Sequence, residues 1–387
     1  MKIAIHTNAA WGGIVDYMVW QANAIAALGH EVVLLVPENF EKFAVAPEIE
    51  IRKVLLDLEY ESTAPKFIRR IRWIVRTLKN WRITARETAH LEPDALLLSA
   101  FAEYLAPVWT RNFQKLRKRF PQLRIGTVVH DPVRRAFGPE RFHLLSVRSA
   151  YEMLDVAFTH NPISLDQAGT SPLTPVSQIP FGVYDFPEAE TASGEIRERL
   201  AISANKTILF AFGHIRDGKN LDLAIRLLPE FQKLHLVIAG KTISSRDQPV
   251  SFYENLARDL DVKNRLTILN RFIPEDEAAD LFSAANFVLL SYECGFVSAS
   301  SVLHVALKFR KPVLATSGDG HLKWAVEKYR LGVWTEPDSV ESLTAGLTEL
   351  IKSADTLEPR WEDYERENTW KENAQIVVEA LRPNPVE

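Results

Sequence analysis

Two doubly wound α/β domains in series are what this sequence predicts. Short aliphatic or β-branched runs alternate with longer amphipathic stretches, the pattern of βα units around parallel sheets. The runs fall into two sets of six, separated by a stretch with no helical period. And 387 residues are more than one core of at most about 300 holds comfortably.

The first set is Lys2–Thr7, His30–Val36, Ile51–Leu55, Asp94–Ser99, Arg124–His130 and Val156–His160. Asn161–Gly194 then runs rich in Pro, Ser, Thr and Gly and includes Ile179-Pro180-Phe181-Gly182, which puts the junction near Gly182. The second set is Thr207–Phe212, Leu234–Ala239, Arg265–Leu269, Asn286–Ser291, Pro312–Thr316 and Gly332–Trp334. A last amphipathic stretch, Trp361–Leu381, is long enough to cross back to the first domain. The expected domains are 1–182 and 183–365, with a C-terminal helix over about 366–387 returning to the first. Open α/β sheets bind ligands outside the carboxyl ends of their strands, so two of them are expected to face each other across a cleft that holds the ligand.

Composition narrows the class. Apolar residues make 47% and charged residues 25% of the chain, which excludes a disordered or collagen-like polymer. No apolar run reaches the roughly 18 residues a membrane span needs. Met1–Gly13 lacks a long apolar segment and reads as a first strand rather than a signal peptide. The single cysteine, Cys294, rules out an intrachain disulfide framework and points to the cytosol. Charge is unevenly spread: residues 1–180 carry 22 Lys and Arg against 18 Asp and Glu, whereas residues 181–387 carry 24 against 32. A basic half joined to an acidic one suggests an anionic ligand or surface on one side.

Three loops could hold such an anion. The first strand runs through Ala9-Ala10-Trp11 into Gly12-Gly13 and then a helix; a glycine pair there allows positive φ and lets a phosphate approach backbone N–H groups. It is not the G-x-G-x-x-G dinucleotide fingerprint, which argues against a dehydrogenase. The second loop is Gly213-His214-Ile215-Arg216-Asp217-Gly218-Lys219-Asn220, where Arg216 and Lys219 could neutralise a diphosphate and stabilise it as a leaving group. The third, Tyr292-Glu293-Cys294-Gly295 to Ser300-Ser301-Val302, opens a helix whose first N–H groups could hold an anion, or Ser300 could simply cap it.

The order of these pieces resembles the GT-B nucleotide-sugar glycosyltransferases of family 4, also called glycosyl transferases group 1. The resemblance covers the whole chain. It rests on the Gly-Gly loop, Thr127-Val128-Val129-His130-Asp131, Ala157-Phe158-Thr159-His160-Asn161, Phe212-Gly213 with Arg216 and Lys219-Asn220, Val237-Ile238-Ala239-Gly240, Leu289-Leu290-Ser291-Tyr292, and Lys311-Pro312-Val313-Leu314-Ala315-Thr316. It implies a GT-B fold and a nucleoside-diphosphate sugar as co-substrate, with no cofactor and no metal. The second domain would be the donor side and the first the acceptor side. Lys219 would hold the donor diphosphate with Arg216, and Gly12 and Gly13 would approach it. His130 would sit beside the reacting sugar. Ser300, Ser301 and Val302 would cradle the distal phosphate, and the nucleobase would meet backbone near Arg271–Ile273. The family resembles itself in retaining the anomeric configuration.

The sequence departs from the family at three places. His214 stands where most members carry an arginine. Val297 and Val305 fall where many carry paired glutamates, leaving Glu293 the nearby acid. Asp259-Leu260-Asp261 matches a metal-binding D-x-D pattern, but at the end of a surface helix, far from these loops in sequence. Gly318-Asp319-Gly320 lines the site or is only a turn.

One helix stands apart. Lys66–Arg86 holds eight Lys and Arg and no acid. Phe67, Ile68, Ile71, Ile74, Val75, Leu78 and Trp81 fall on one arc at 100° per residue, with most cations opposite. Arg69, Arg70, Arg72, Trp73, Arg76 and Lys79 read as an anionic-membrane contact, because indole and guanidinium both suit the headgroup layer. Lys115–Arg119 could extend it. The expected protein is thus a cytoplasmic glycosyltransferase, peripheral on the inner face of the plasma membrane. It would use a glycan or lipid-linked acceptor in bacterial polysaccharide or glycolipid synthesis. The alternative is a catalytically degenerate GT-B subunit that binds a nucleotide sugar or a partner. A nucleic-acid binder lacks an aromatic platform or zinc motif, and an epimerase on this fold needs cleft acids that the loops lack.

Overall fold

The computed structural model describes residues 1–383 except 42–43, 59–64, 100, 134–137, 161–164, 171–172 and 243–246. Asn161 of the sequence pattern and the last four residues of the expected C-terminal helix lie outside the described residues. The chain divides into two compact units, Met1–Gly182 with Asn368–Glu387, and Val183–Glu367.

The first unit runs β1 (Lys2–His6), α1 (Gly13–Ala27), β2 (Glu31–Pro37), β3 (Glu50–Leu55), α2 (Lys66–Leu91), β4 (Ala95–Leu98), α3 (Ala106–Arg119), β5 (Arg124–Val129), α4 (Glu140–Tyr151), β6 (Val156–Thr159) and β7 (Val176–Gln178). The second runs α5 (Ser193–Arg199), β8 (Thr207–Phe212), α6 (Leu221–Leu227), β9 (Leu234–Gly240), α7 (Val250–Asp259), β10 (Leu266–Asn270), α8 (Glu275–Ala284), β11 (Phe287–Ser291), α9 (Ser301–Lys308), β12 (Val313–Thr316), α10 (His321–Tyr329), β13 (Gly332–Thr335), α11 (Val340–Ser353) and α12 (Trp361–Glu367). The chain then returns to the first unit as α13 (Trp370–Ala380).

Both sheets are parallel. Their strand orders are β3-β2-β1-β4-β5-β6-β7 and β10-β9-β8-β11-β12-β13. The order reverses between β1 and β4 in one and between β8 and β11 in the other. At such switch points the loops leaving the strand ends diverge to opposite faces and open a crevice.

Why these strands form is plain from their burial. β2, β4 and β9 are near-continuous apolar runs, as strands covered on both faces must be. Alternate residues serve opposite faces. In β8, Ile208 and Phe210 pack with Phe282, Leu303 and Tyr329, while Leu209 and Ala211 pack with Ile225, Leu343 and Leu347. In the first unit the indoles of Trp81 and Trp109 stack 4.3 Å apart between α2 and α3.

All twelve strands read from the sequence are present. The thirteenth, β7, is a three-residue edge strand inside the Pro- and Thr-rich stretch, where Pro175 supplies a carbonyl to Ala157 N. The amphipathic stretch Trp361–Leu381 is two helices, and the C-terminal helix expected over about 366–387 begins at Trp370. The stretch breaks at Asn368-Thr369 into α12 and α13, because Thr369 caps the second helix, its side chain accepting from Glu372 N at 3.1 Å.

Candidate active site

In the second unit, β8 delivers the chain to Gly213 (φ 93°), then His214, Ile215 and Arg216. A short 3-10 turn, Asp217–Lys219, follows, and Asn220 in the left-handed region starts α6. Lys219 is half-buried and turns inward, its Nζ donating to the Phe212 carbonyl at 2.5 Å. Burial, and then the nearby Arg216, bring its ammonium down to about 7. A Cβ on Gly213 would lie 3.1 Å from that Nζ and 4.0 Å from the Val302 side chain. Lys219 and the start of α9 therefore converge on one point.

The N-terminus of α9 completes the arrangement. Its first backbone bond is Leu303 N to Ser300 O, so the N–H groups of Ser301 and Val302 precede the helix's own ladder. Ser301 is exposed. Ser300 is buried and makes no side-chain cap; its Oγ lies 3.0 Å from the Tyr292 hydroxyl. The Ser300 cap is thereby corrected, as is Ser300 as a hydroxyl turned to an anion. The Tyr292 ring itself stacks on Phe296 at 3.9 Å.

Several bonds hold the Lys219 turn in register with the β11 loop. Ser291 Oγ donates to Lys219 O at 2.6 Å, and Glu293 N donates to Gly218 O at 3.1 Å. Asp338 bridges the two loops, accepting from Asn220 Nδ2 at 2.8 Å and Cys294 N at 2.9 Å. The Glu293 carboxylate lies against Gly218, 3.3 Å from where a Cβ would sit. His214 and Arg216 are exposed at the same turn, and partial burial, then Lys219 and Arg216, lower the His214 imidazole. Val297 and Val305 are buried apolar residues. Gly318 and Gly320 back onto the carbonyls of Cys294 and Val297, so the Gly-Asp-Gly turn buttresses the β11 loop. The D-x-D pair sits at the end of α7. Among the described residues no group of His, Cys, Asp and Glu could hold a metal ion.

In the first unit, Gly12 (φ 87°) caps α1, and the first amide bonded back to it is Val15 N. Gly13 is exposed, and Trp11, just before the pair, is the exposed one of nine tryptophans. His130 follows β5 and its Nε2 lies 3.0 Å from the Ser99 carbonyl. A carbonyl only accepts, so the ring carries its proton on Nε2 and presents the Nδ1 lone pair. Burial lowers this imidazole to about 4, with the Ser99 bond opposing, so it is neutral at physiological pH.

Helix α2 corrects the membrane reading in part. Phe67 is 73% exposed, and Ile68, Ile71 and Val75 are exposed with it, so the first turns of the apolar arc are not core. Trp81 is fully buried. Arg69, Arg70, Arg72 and Lys79 are exposed. Trp73 is half-buried with its ring 6.0 Å from Tyr104, and Arg76 donates to the Asp57 carbonyl at 2.6 Å. Those two side chains turn to the protein. Arg117 of the second cluster is likewise engaged, by Asp155 and Met153 O. No described helix is long and apolar enough to cross a membrane.

Two parallel sheets, of seven and six strands, each with a reversal of strand order, belong to a GT-B fold. Solved structures agree. Sucrose-phosphate synthase from Thermosynechococcus elongatus superposes with a TM-score of 0.74 at 15% identity, covering 98% of each chain. Anabaena HepE, solved with UDP and glucose, gives 0.65 at 15% identity over 98% of this chain and 99% of that one. WaaG, a glycosyltransferase involved in lipopolysaccharide biosynthesis, gives 0.61 at 18% identity over 97% and 95%. Residues 193–376 match the family model of the glycosyl transferases group 1. No curated protein matches the chain by sequence.

Proposed function

We propose that this protein transfers a hexosyl unit from a nucleoside-diphosphate sugar to a hydroxyl of a glycan or lipid-linked acceptor, with retention and without a metal ion. One observation carries the reading: the Lys219 ammonium and the Val302 side chain, at the start of α9, lie within 4.0 Å of the same point beside Gly213. A cation beside the first turn of a helix whose first two amides are unladdered suits a diphosphate. In the reaction the C1–O bond to the diphosphate breaks and an acceptor oxygen bonds C1 on the same face. The acceptor proton leaves on a diphosphate oxygen. Negative charge grows on the leaving group, where Lys219, Arg216 and the amides of Ser301 and Val302 stabilise it. His130, neutral, accepts a sugar hydroxyl at Nδ1 rather than acting as an acid. HepE has been solved with UDP and with UDP-glucose, which supports a uridine donor.

The membrane half of the proposal rests on α2. Exposed Phe67, Ile68 and Ile71 beside Arg69, Arg70 and Arg72 suit the inner leaflet of a bacterial plasma membrane, and synthesis of a surface polysaccharide or glycolipid follows from that location.

A second reading is favoured by buried Val297 and Val305 where the family's glutamates stand: a degenerate subunit that binds the nucleotide sugar without turnover. Hydrolysis of UDP- and GDP-sugars in the presence of a metal chelator separates the two. Release of nucleoside diphosphate supports transfer, whereas binding without release supports the subunit.

A further inference from the structure

Both chain crossings between the two units end on one buried side chain of the first unit. The chain leaves that unit at Pro180-Phe181-Gly182 and re-enters it at Asn368-Thr369-Trp370. Tyr17 of α1, 1% exposed, meets both, with the Phe181 ring at 5.3 Å and the Trp370 ring at 5.0 Å. The indole lies so close on Gly182 that a Cβ there would fall 2.3 Å from it.

Polar contacts lock the same residue. Asn373 of α13 is fully buried, and its Nδ2 donates to the Tyr17 hydroxyl at 2.8 Å and to the Pro180 carbonyl at 2.7 Å. Its Oδ1 accepts from Gln21 Nε2 at 2.8 Å, and Gln21 also reaches the Tyr17 hydroxyl at 3.2 Å. A purely space-filling ring would need none of this. On its other side the Tyr17 ring meets His130 edge-on, at 4.7 Å and 83°, and His160 at 5.1 Å.

We propose that Tyr17 and Asn373 are positioning residues for His130, through which the returning helix α13 sets the orientation of the imidazole. The idea rests on the function proposed above only for what His130 then does. One hydrogen bond, to the Ser99 carbonyl, leaves the ring free to rock about that bond. The perpendicular contact with Tyr17 fixes its plane, since edge-to-face pairs have a preferred geometry. Tyr17 can fix it because its hydroxyl is held by two buried donors from α1 and α13.

The test uses the full-length protein with 15N-labelled histidine, the His130 signals being assigned from their loss in His130→Asn. Tyr17→Phe keeps the ring and removes the anchor, and Asn373→Ala removes the anchor from the other end. The titratable neighbours of the imidazole are Tyr17, His160 at 6.0 Å and the adjoining Asp131, all unchanged in Asn373→Ala. Wild type is expected to show one tautomer, protonated at Nε2 and resisting protonation to about pH 4. Both variants are expected to show tautomer exchange and easier protonation. Turnover of a UDP-sugar should fall about tenfold with the donor KM within about twofold. Unchanged His130 signals in a folded variant overturn the proposal; if Tyr17→Phe does not fold, Asn373→Ala decides alone. A wild type that turns over no nucleotide sugar overturns the functional reading instead, and the imidazole spectrum still decides whether Tyr17 orients His130.

Discussion

Lys219 faces a carbonyl, not a carboxylate. The Phe212 oxygen offers a dipole where a counter-ion would normally stand, so burial lowers the ammonium to about 7. An arriving pyrophosphate supplies the missing charge and raises it again. The sign follows: below about pH 6 the free protein already holds the proton, and above about pH 8 binding must take it up. A nucleotide sugar keeps its two pyrophosphate charges across this range. Its affinity should be flat below pH 6 and fall up to tenfold per unit above 7, with uptake approaching one proton per ligand. Calorimetry in two buffers of different ionisation enthalpy measures that uptake, and a value of zero at pH 8 removes Lys219 from the pyrophosphate. Lys219→Ala should cut turnover by about two to three orders of magnitude in a steady-state assay, the equivalent of roughly 3–4 kcal/mol for one lost transition-state donor. This lysine was legible in the sequence because a strand, a small-residue loop and a helix framed it. Its supports were not. Ser291 and Asp338 act on the turn from 72 and 118 residues away, and Phe212 acts through its backbone, which no side-chain pattern reveals.

Helices show the same limit at the next scale. The 100° periodicity of α2 identified an apolar arc correctly, but not what covers it. Its C-terminal half carries Trp81 into the stack with Trp109, while its first turns leave Phe67, Ile68 and Ile71 exposed. Trp73 looked interfacial among arginines, yet lies beside Tyr104 on a loop that sequence spacing could not bring near. The break between α12 and α13 was written in Thr369-x-x-Glu372, a capping signature hidden inside an otherwise continuous amphipathic pattern. For α2 the consequence is measurable. Replacing Phe67 and Ile71 by Ser should weaken binding to vesicles containing anionic lipid at least tenfold, since burying one such side chain is worth about 1.5–3 kcal/mol. Because both residues are exposed, the melting temperature should stay within about 1 °C. Co-sedimentation at low salt reads the first and calorimetry the second. Equal sedimentation of both proteins removes the apolar face from the contact.

Across the whole molecule, the strand sets were readable because the central strands are buried apolar runs bounded by turn residues. The edge strand β7 was not, being three residues long and mostly exposed. The two units also bear unequally on the proposed donor. Lys219, the α9 N-terminus, Ser291 and Asp338 all belong to Val183–Glu367. A nucleotide bound there stabilises that unit first. At about 100 times its dissociation constant a ligand contributes about 2.7 kcal/mol. For a unit of this size each kcal/mol moves the midpoint by about 2–4 °C, giving an expected rise of roughly 5–11 °C. Scanning calorimetry with UDP, and hydrogen exchange read at peptides from each unit, measure where that stabilisation falls. Protection is expected at residues 213–220 and 291–303. Protection confined to the first unit would move the nucleotide away from Lys219, and the acidic second unit would then need a different ligand from the one its loops describe.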